Sequence, residues 1–125
     1  MNAEYERARR AIVMGSGLSA MGVLHFVKPQ PFDGLIPPWL PGKPRVWTIG
    51  SGVAESLCGG LLINRRTRQA GGFATAGLFA GVWIGNFQMA WDARGQSRVK
   101  LAVALARLPF QVLLIRAALK IARAE

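Results

Sequence analysis

The chain has 125 residues, the size of one ordinary domain, so a catalytic domain with a separate regulatory domain is not expected. Hydrophobic residues make up 51% of the chain and glycine adds 15 residues, which excludes a disordered or coiled-coil protein. The 16 Lys and Arg exceed the 6 Asp and Glu, and because these bases gather at the ends of apolar runs they indicate a membrane protein and not a nucleic-acid-binding one.

Four apolar stretches follow one another along the chain, each close to the roughly 17–25 residues that a spanning helix needs. They predict membrane-spanning helices at about 11–28, 46–63, 70–91 and 99–118. A secretory signal peptide is the rival interpretation of the first stretch, but no A-x-A cleavage site follows it. A soluble bundle is the other alternative, although AGGFATAGLFAGVWIG lacks the polar stripe that a soluble helix needs.

The connections set the predicted topology. Those after the second and third stretches are short, and short links make neighbouring helices antiparallel. We therefore expect a single all-α domain over residues 1–125, an integral membrane four-helix up-down bundle with a Pro-rich apolar loop between helices 1 and 2. Both termini then lie on one side of the membrane.

The basic residues predict which side that is, because cytoplasmic loops carry the excess of Lys and Arg. Nine bases flank the side of the termini: Arg7, Arg9, Arg10, Arg65, Arg66, Arg68, Arg116, Lys120 and Arg123. Six flank the other side: Lys28, Lys43, Arg45, Arg94, Arg98 and Lys100. We expect a multi-pass protein of the bacterial inner membrane with both termini cytoplasmic. Trp47 and Trp91 fall at the outer ends of their spans, where aromatic belt residues lie.

Small residues recur every four positions in two of the stretches. Gly52, Ser56 and Gly60 do so in the second stretch, and GLFAGVWIG repeats glycine at 77, 81 and 85 in the third. Such rows let helix backbones approach closely. We expect both rows to pack inside the bundle, with homo-oligomerisation as the alternative.

Polar side chains inside the apolar stretches are the candidate site: His25, Glu55, Asn86, Arg107 and Gln111. An ionisable group within a membrane requires a partner. At 1.5 Å per residue, Glu55 lies about 13 Å and Arg107 about 12 Å below the outer face, which predicts an ion pair between them. Pro109 opens the fourth helix beside that pair by freeing the carbonyl of Leu105.

Three interpretations of this cluster stay open. It is either a structural ion pair completed by Asn86 and Gln111, a pocket for a quinone head group, a lipid head group or a small polar ligand, or a proton path. No metal is expected, because one His and one carboxylate at different depths make a poor site. The single Cys58 excludes an internal disulfide and a CxxC pair.

The loop VKPQPFDGLIPPWLPGKPR is Pro-rich yet apolar, whereas an exposed linker would be more polar. We expect it to fold over the outer mouth of the bundle, with Phe32 and Trp39 as covering residues. A rigid interfacial loop without a ligand role is the alternative.

The pieces GVLHFVKPQPFDGLIPPWLPG, SGVAESLCGGLLI, RRTRQAGG, GVWIGNFQMAWD and ARLPFQ, in this order, resemble the DoxX family of small bacterial four-helix membrane proteins. The resemblance implies an inner-membrane protein and suggests quinone-linked redox chemistry, as in membrane complexes that handle sulfur compounds, thiols and oxidative stress. The related thiol oxidoreductases work through cysteine pairs, whereas Cys58 stands alone.

Two function classes follow. The first is a non-enzymatic accessory subunit of a membrane complex that binds a partner protein, a lipid or a quinone through the polar cluster. The second is a quinone-linked oxidoreductase subunit. The sequence has no flavin, haem or iron–sulfur motif, which favours the first class. We expect membrane lipids and other membrane subunits or a second copy as partners, and no nucleic acid.

Overall fold

A computed structural model describes residues 2–124, and over that range the chain contains helices and no strand. The five helices are α1 (Ala3–Val27), α2 (Gln30–Asp33), α3 (Pro44–Ile63), α4 (Arg68–Ala93) and α5 (Arg98–Ala122). The all-α prediction is confirmed. The predicted count of four helices is not confirmed, because the structure adds α2, a single turn in the Pro-rich loop that is too short to show a periodic pattern.

Local chemistry explains where the long helices begin. The side chain of Asn2 accepts a hydrogen bond from the Tyr5 amide at 2.8 Å, so α1 starts at Ala3 and includes the charged leader, eight residues earlier than predicted. Pro44 occupies the first turn of α3, where its missing N–H is not needed. Ser97 caps α5 by accepting from the Lys100 amide.

Helices α1 and α3 pack antiparallel through small residues. A Cβ on Gly59 would lie 2.6 Å from the Gly15 carbonyl oxygen, and one on Gly52 would lie 3.1 Å from that of Gly22. Only glycine permits this approach of the two backbones. Ser56 also belongs to this contact. Gly60 is exposed with open space around it, so the third small residue of the contact is Gly59 and not the predicted Gly60.

Helix α4 packs between α3 and α5. At its start, a Cβ on Gly71 would lie 2.7 Å from the Leu61 carbonyl carbon, and one on Gly72 would lie 2.7 Å from the Ala122 amide nitrogen. The predicted row Gly77, Gly81 and Gly85 contacts nothing: a Cβ at each would have no neighbour within 4 Å. The expectation that this row packs inside the bundle is wrong, because α4 uses its other face, with Thr75, Ala76, Asn86 and Ala90 buried.

Three of the helices, α1, α3 and α5, are long and apolar enough to cross a membrane. Large apolar side chains lie on the outside of the molecule, for example Val13 at 66% and Leu57 at 63% exposure, as expected where the surroundings are lipid. The 26-residue α4 is not among the three. Its five glycines and its polar residues Asn86 and Gln88 lower its mean hydropathy.

The Pro-rich loop lies against the bundle and is held there by side chains. The Asp33 carboxylate accepts from Thr48 at 2.6 Å and from Arg45 at 2.9 Å. The Trp39 indole donates to Gln88 of α4 at 3.0 Å, and the Trp47 indole donates to the Pro41 carbonyl at 2.7 Å. The hydrogen bond from Thr48 and the charge of Arg45 hold the pKa of Asp33 below its usual value.

Candidate functional site

His25 and Glu55 form a buried pair across the contact of α1 and α3. His25 is 7% exposed and Glu55 9%, and Nδ1 of the imidazole lies 3.4 Å from Oε2 of the carboxylate. The same Nδ1 lies 2.7 Å from the Met21 carbonyl oxygen. Because a carbonyl can only accept, Nδ1 carries a proton and donates it to Met21. Glu55 Oε2 is buried and has no hydrogen-bond donor among residues 2–124.

Phe32 of α2 covers this pair from the loop side. Its ring stacks on the His25 imidazole with centroids 3.8 Å apart and planes at 16°. The other covering residue of the sequence prediction, Trp39, remains 59% exposed and contacts the bundle through its hydrogen bond to Gln88. The structure therefore places Phe32 on the polar pair and Trp39 at the edge of α4.

Asn86 and Gln111 lie on α4 and α5. Asn86 is 5% exposed, and its Nδ2 has no acceptor within the described part of the chain. Gln111 is 7% exposed and donates to the Phe79 carbonyl of α4 at 2.9 Å. A second bond joins these helices at the proline: the Trp83 indole donates to the Leu108 carbonyl, next to Pro109, at 3.1 Å.

The predicted ion pair between Glu55 and Arg107 is wrong. Arg107 is exposed, and no carboxylate of residues 2–124 lies within 4.0 Å of it. The two residues match in the depth counted from the sequence, but their helices are not neighbours, since α3 packs against α1 and α4 while α5 packs mainly against α4. Glu55 takes His25 as its partner instead, because α1 is the helix in close contact with α3.

A groove of about 890 Å³ runs between α1 and α5, with α4 as its floor. Its walls are apolar, with Met14, Leu18, Phe79 and Leu114 among them. Its inner end, near the termini, is lined by four bases: Arg9, Arg10, Arg116 and Lys120. Its deep end reaches Glu55 and Gln111. This volume is within the range of small-molecule sites, about 300–1,000 Å³.

A smaller cavity of about 440 Å³ lies under the Pro-rich loop, between Leu35 and Ile36 on one side and the ends of α4 and α5 on the other. Within residues 2–124, no three side chains of the metal-ligating types His, Cys, Asp and Glu come together. Of these two cavities the groove is the larger, and it is the one lined by residues of the predicted cluster, Glu55 and Gln111.

Two arginines that sequence reasoning assigned only to topology have a structural role. Arg68 is 4% exposed and donates to the carbonyls of Leu62 and Ile63 at the end of α3, at 2.9 and 3.0 Å. Arg7 donates to the Ile121 carbonyl at the end of α5 at 2.7 Å. A cation at a helix C-terminus satisfies free carbonyls and the helix dipole. The position of Arg68 five residues after Ile63 is the signal that could have indicated it.

A family model described as a domain of unknown function, DUF8561, matches residues 14–122. The chain belongs to this family. No curated protein and no solved structure matches it. The resemblance to the DoxX family is therefore wrong. Apolar stretches rich in Gly, Ala and Leu share short runs of sequence because the bilayer restricts their composition, so such runs carry little family information.

Proposed function

We propose that this protein is a four-span membrane protein that binds a lipid-like amphiphile in the groove between α1 and α5. The observation that carries the proposal is the form of that groove: apolar walls, a volume of about 890 Å³, and polar groups of Glu55 and Gln111 at its deep end. An elongated molecule with a hydrocarbon body matches these walls. We propose it as a binding subunit and not as an enzyme.

The antiparallel contacts support four spans. The Arg7 bond to the Ile121 carbonyl places the end of α5 beside the start of α1, and the contact of Gly15 with Gly59 places the end of α3 there too. The chain must return to the opposite end between Ile63 and Arg98, and α4 is the segment that does so. If α3 and α5 cross a bilayer, α4 crosses it as well, with Asn86 buried inside the bundle.

The nine bases on the side of the termini support a cytoplasmic location for both ends, in a bacterial inner membrane. Trp39, Trp47 and Trp91 are exposed at the opposite end, where tryptophans of an aromatic belt lie. The groove then opens to the cytoplasmic leaflet, because Arg9 and Lys120 line its mouth.

Gly17 allows a direct test of the groove. It lines the groove, and a Cβ there would have no neighbour within 4 Å, so Gly17→Trp fills the groove without disturbing helix packing. Gly60→Trp is the matched control, since Gly60 is also a helical glycine in open space but lies outside the groove. We expect native mass spectrometry of the purified protein to show bound lipid in wild type and Gly60→Trp, and none in Gly17→Trp. Equal retention in all three proteins would overturn the proposal.

Arg107 supports a second role, contact with another membrane subunit. It is exposed near the middle of α5, a helix apolar enough to span a membrane, and a charge at such a position costs about 2.5–3.5 kcal/mol unless it is paired. We propose a carboxylate on a partner helix as its counterion. Arg107→Met should abolish comigration with that subunit on native gels, whereas Arg98→Met at the helix end should not. Unchanged comigration would contradict the role of Arg107.

A further inference from the structure

We propose that the ligand of the α1–α5 groove is an anionic phospholipid, whose phosphate is bound by Arg10, Arg116 and Lys120. This inference rests on the proposed groove function and adds the charge class of its ligand. Two of these bases come from α5 and one from α1, and all three line the inner end of the same groove. The bond from Arg7 to the Ile121 carbonyl at 2.7 Å holds these two helix ends together.

Three of the four bases at this end of the groove have no acidic partner among the described residues 2–124. The guanidinium of Arg9 lies 3.1 Å from the Glu6 carboxylate. Arg10, Arg116 and Lys120 are exposed and have no carboxylate within 4.0 Å among residues 2–124. Glu55, the acidic residue of the groove lining, is at the deep end. Three positive charges at one end of a groove repel one another, and a bound phosphate, which accepts several charge-assisted hydrogen bonds, removes that repulsion.

The length of the groove matches one leaflet. From Arg9 to Met21, both of which line it, α1 rises about 18 Å at 1.5 Å per residue. Half of a hydrocarbon core of roughly 30 Å is about 15 Å. A phospholipid with its phosphate at the three bases therefore extends its acyl chain along Met14 and Leu18 toward the middle of the bilayer. A free phosphate ion would fill the mouth alone and leave the apolar walls empty.

Bases gather at this end of the bundle for topological reasons as well. The test therefore needs a control variant that loses the same number of charges outside the groove. Arg65, Arg66 and Arg123 provide it: they are exposed, they follow the ends of α3 and α5, and they do not line the groove. The triple variant R65Q/R66Q/R123Q therefore carries the same net charge as R10Q/R116Q/K120Q and differs from it only in where the charge is removed.

The experiment is a native mass spectrometric titration of the full chain with phosphatidylglycerol and with phosphatidylcholine of identical acyl chains. We expect wild type and R65Q/R66Q/R123Q to prefer phosphatidylglycerol by on the order of tenfold or more. R10Q/R116Q/K120Q should lose that preference and still bind phosphatidylcholine, and inorganic phosphate should not displace the lipid. Circular dichroism shows that each variant is folded.

Three outcomes would overturn the inference. If the wild-type protein binds phosphatidylglycerol and phosphatidylcholine equally, the groove has no preference for an anionic lipid. If both triple variants lose the preference for phosphatidylglycerol equally, the preference comes from the overall surface charge and not from a site in the groove. If inorganic phosphate displaces the lipid, the three bases form a site for a phosphate ion and not for a whole phospholipid. None of these three results contradicts the proposal that the groove binds an amphiphile. That proposal is overturned by a different result, lipid binding that is retained in Gly17→Trp.

Discussion

His25 and Glu55 face each other across the contact of α1 and α3, with Nδ1 3.4 Å from Oε2 and Phe32 stacked on the imidazole. A double-mutant cycle tests their coupling. His25→Phe keeps a ring against Phe32 and removes the ionisable group, and Glu55→Gln replaces the carboxyl group by an amide of the same size. Because the two side chains are in contact, we expect a coupling of about 0.5–3 kcal/mol in detergent unfolding.

Arg107 supplies the control for that cycle. It is exposed and does not contact Glu55, so Glu55→Gln and Arg107→Met should be additive within about 0.3–0.5 kcal/mol. Coupling of Glu55 with Arg107 instead of His25 would contradict the observed arrangement.

Adjacent glycines on α3 should respond differently to substitution. A Cβ on Gly59 would meet Ser19 Oγ and lie 2.6 Å from the Gly15 carbonyl oxygen, whereas one on Gly60 would meet nothing. Gly59→Leu should therefore cost about 1–3 kcal/mol of stability by separating α1 from α3. Gly60→Leu should change the melting temperature little. Equal melting of the two variants would show that this face is not the contact with α1.

Asp33 makes the loop sensitive to acid. Its pKa is lowered in the folded protein by the hydrogen bond from Thr48 and the charge of Arg45, so its contribution to stability is present above its unfolded pKa. That contribution is lost as the pH falls through the lower, folded pKa. We expect the tryptophan fluorescence of Trp39 and Trp47 to report loosening of the loop on acidification. Asp33→Asn should be loosened already at neutral pH and show no further change.

Reporter fusions test the four spans. Reporters after Glu125 and in the connection near Arg66 should read the cytoplasmic side, and those near Gly42 and Gly95 the opposite side. The pair Arg66 and Gly95 decides the status of α4, because its hydropathy does not identify it as a span. Identical readings at these two positions would mean that α4 does not cross the membrane.

Gly81 tests the uncovered face of α4. Since a Cβ there would have no neighbour within 4 Å, Gly81→Leu should leave the melting of the monomer unchanged. The mass of the Gly81→Leu variant on a sizing column shows what this face contacts. The mass equals that of wild type if the face contacts lipid, and it falls if the face contacts a second copy of the chain. A lower melting temperature of the monomer itself would contradict the structure.

The sequence predicted where the long helices lie and several of the buried polar side chains, but it did not predict which side chains contact one another. The lengths of the apolar stretches placed the ends of the four long helices within about four residues, except for the start of α1, which lies eight residues earlier because the charged leader is helical too. The inward position of His25, Glu55, Asn86 and Gln111 followed from the cost of placing them in lipid. Which side chains meet depends on the rotation of each helix and on which helices are neighbours. Depth along the axis gives neither, so Arg107 was paired with Glu55 although α3 and α5 pack on other helices.

The hydrogen bonds of Arg7 and Arg68 give the two ends of the bundle different resistance to opening. At the inner end, the guanidinium groups of Arg7 and Arg68 hold the last turns of α5 and α3 through hydrogen bonds to their carbonyls. At the outer end, the loop is held by exposed hydrogen bonds of Trp39 and Trp47 and by those to one carboxylate, Asp33, which can be neutralised. Local unfolding should therefore begin at the loop and spread inward, and amide hydrogen exchange should be fastest around residues 28–43 and slowest near Leu62 and Ile121. Transient access to the buried His25 is thus expected from the loop end of the bundle, while the end near the termini stays closed.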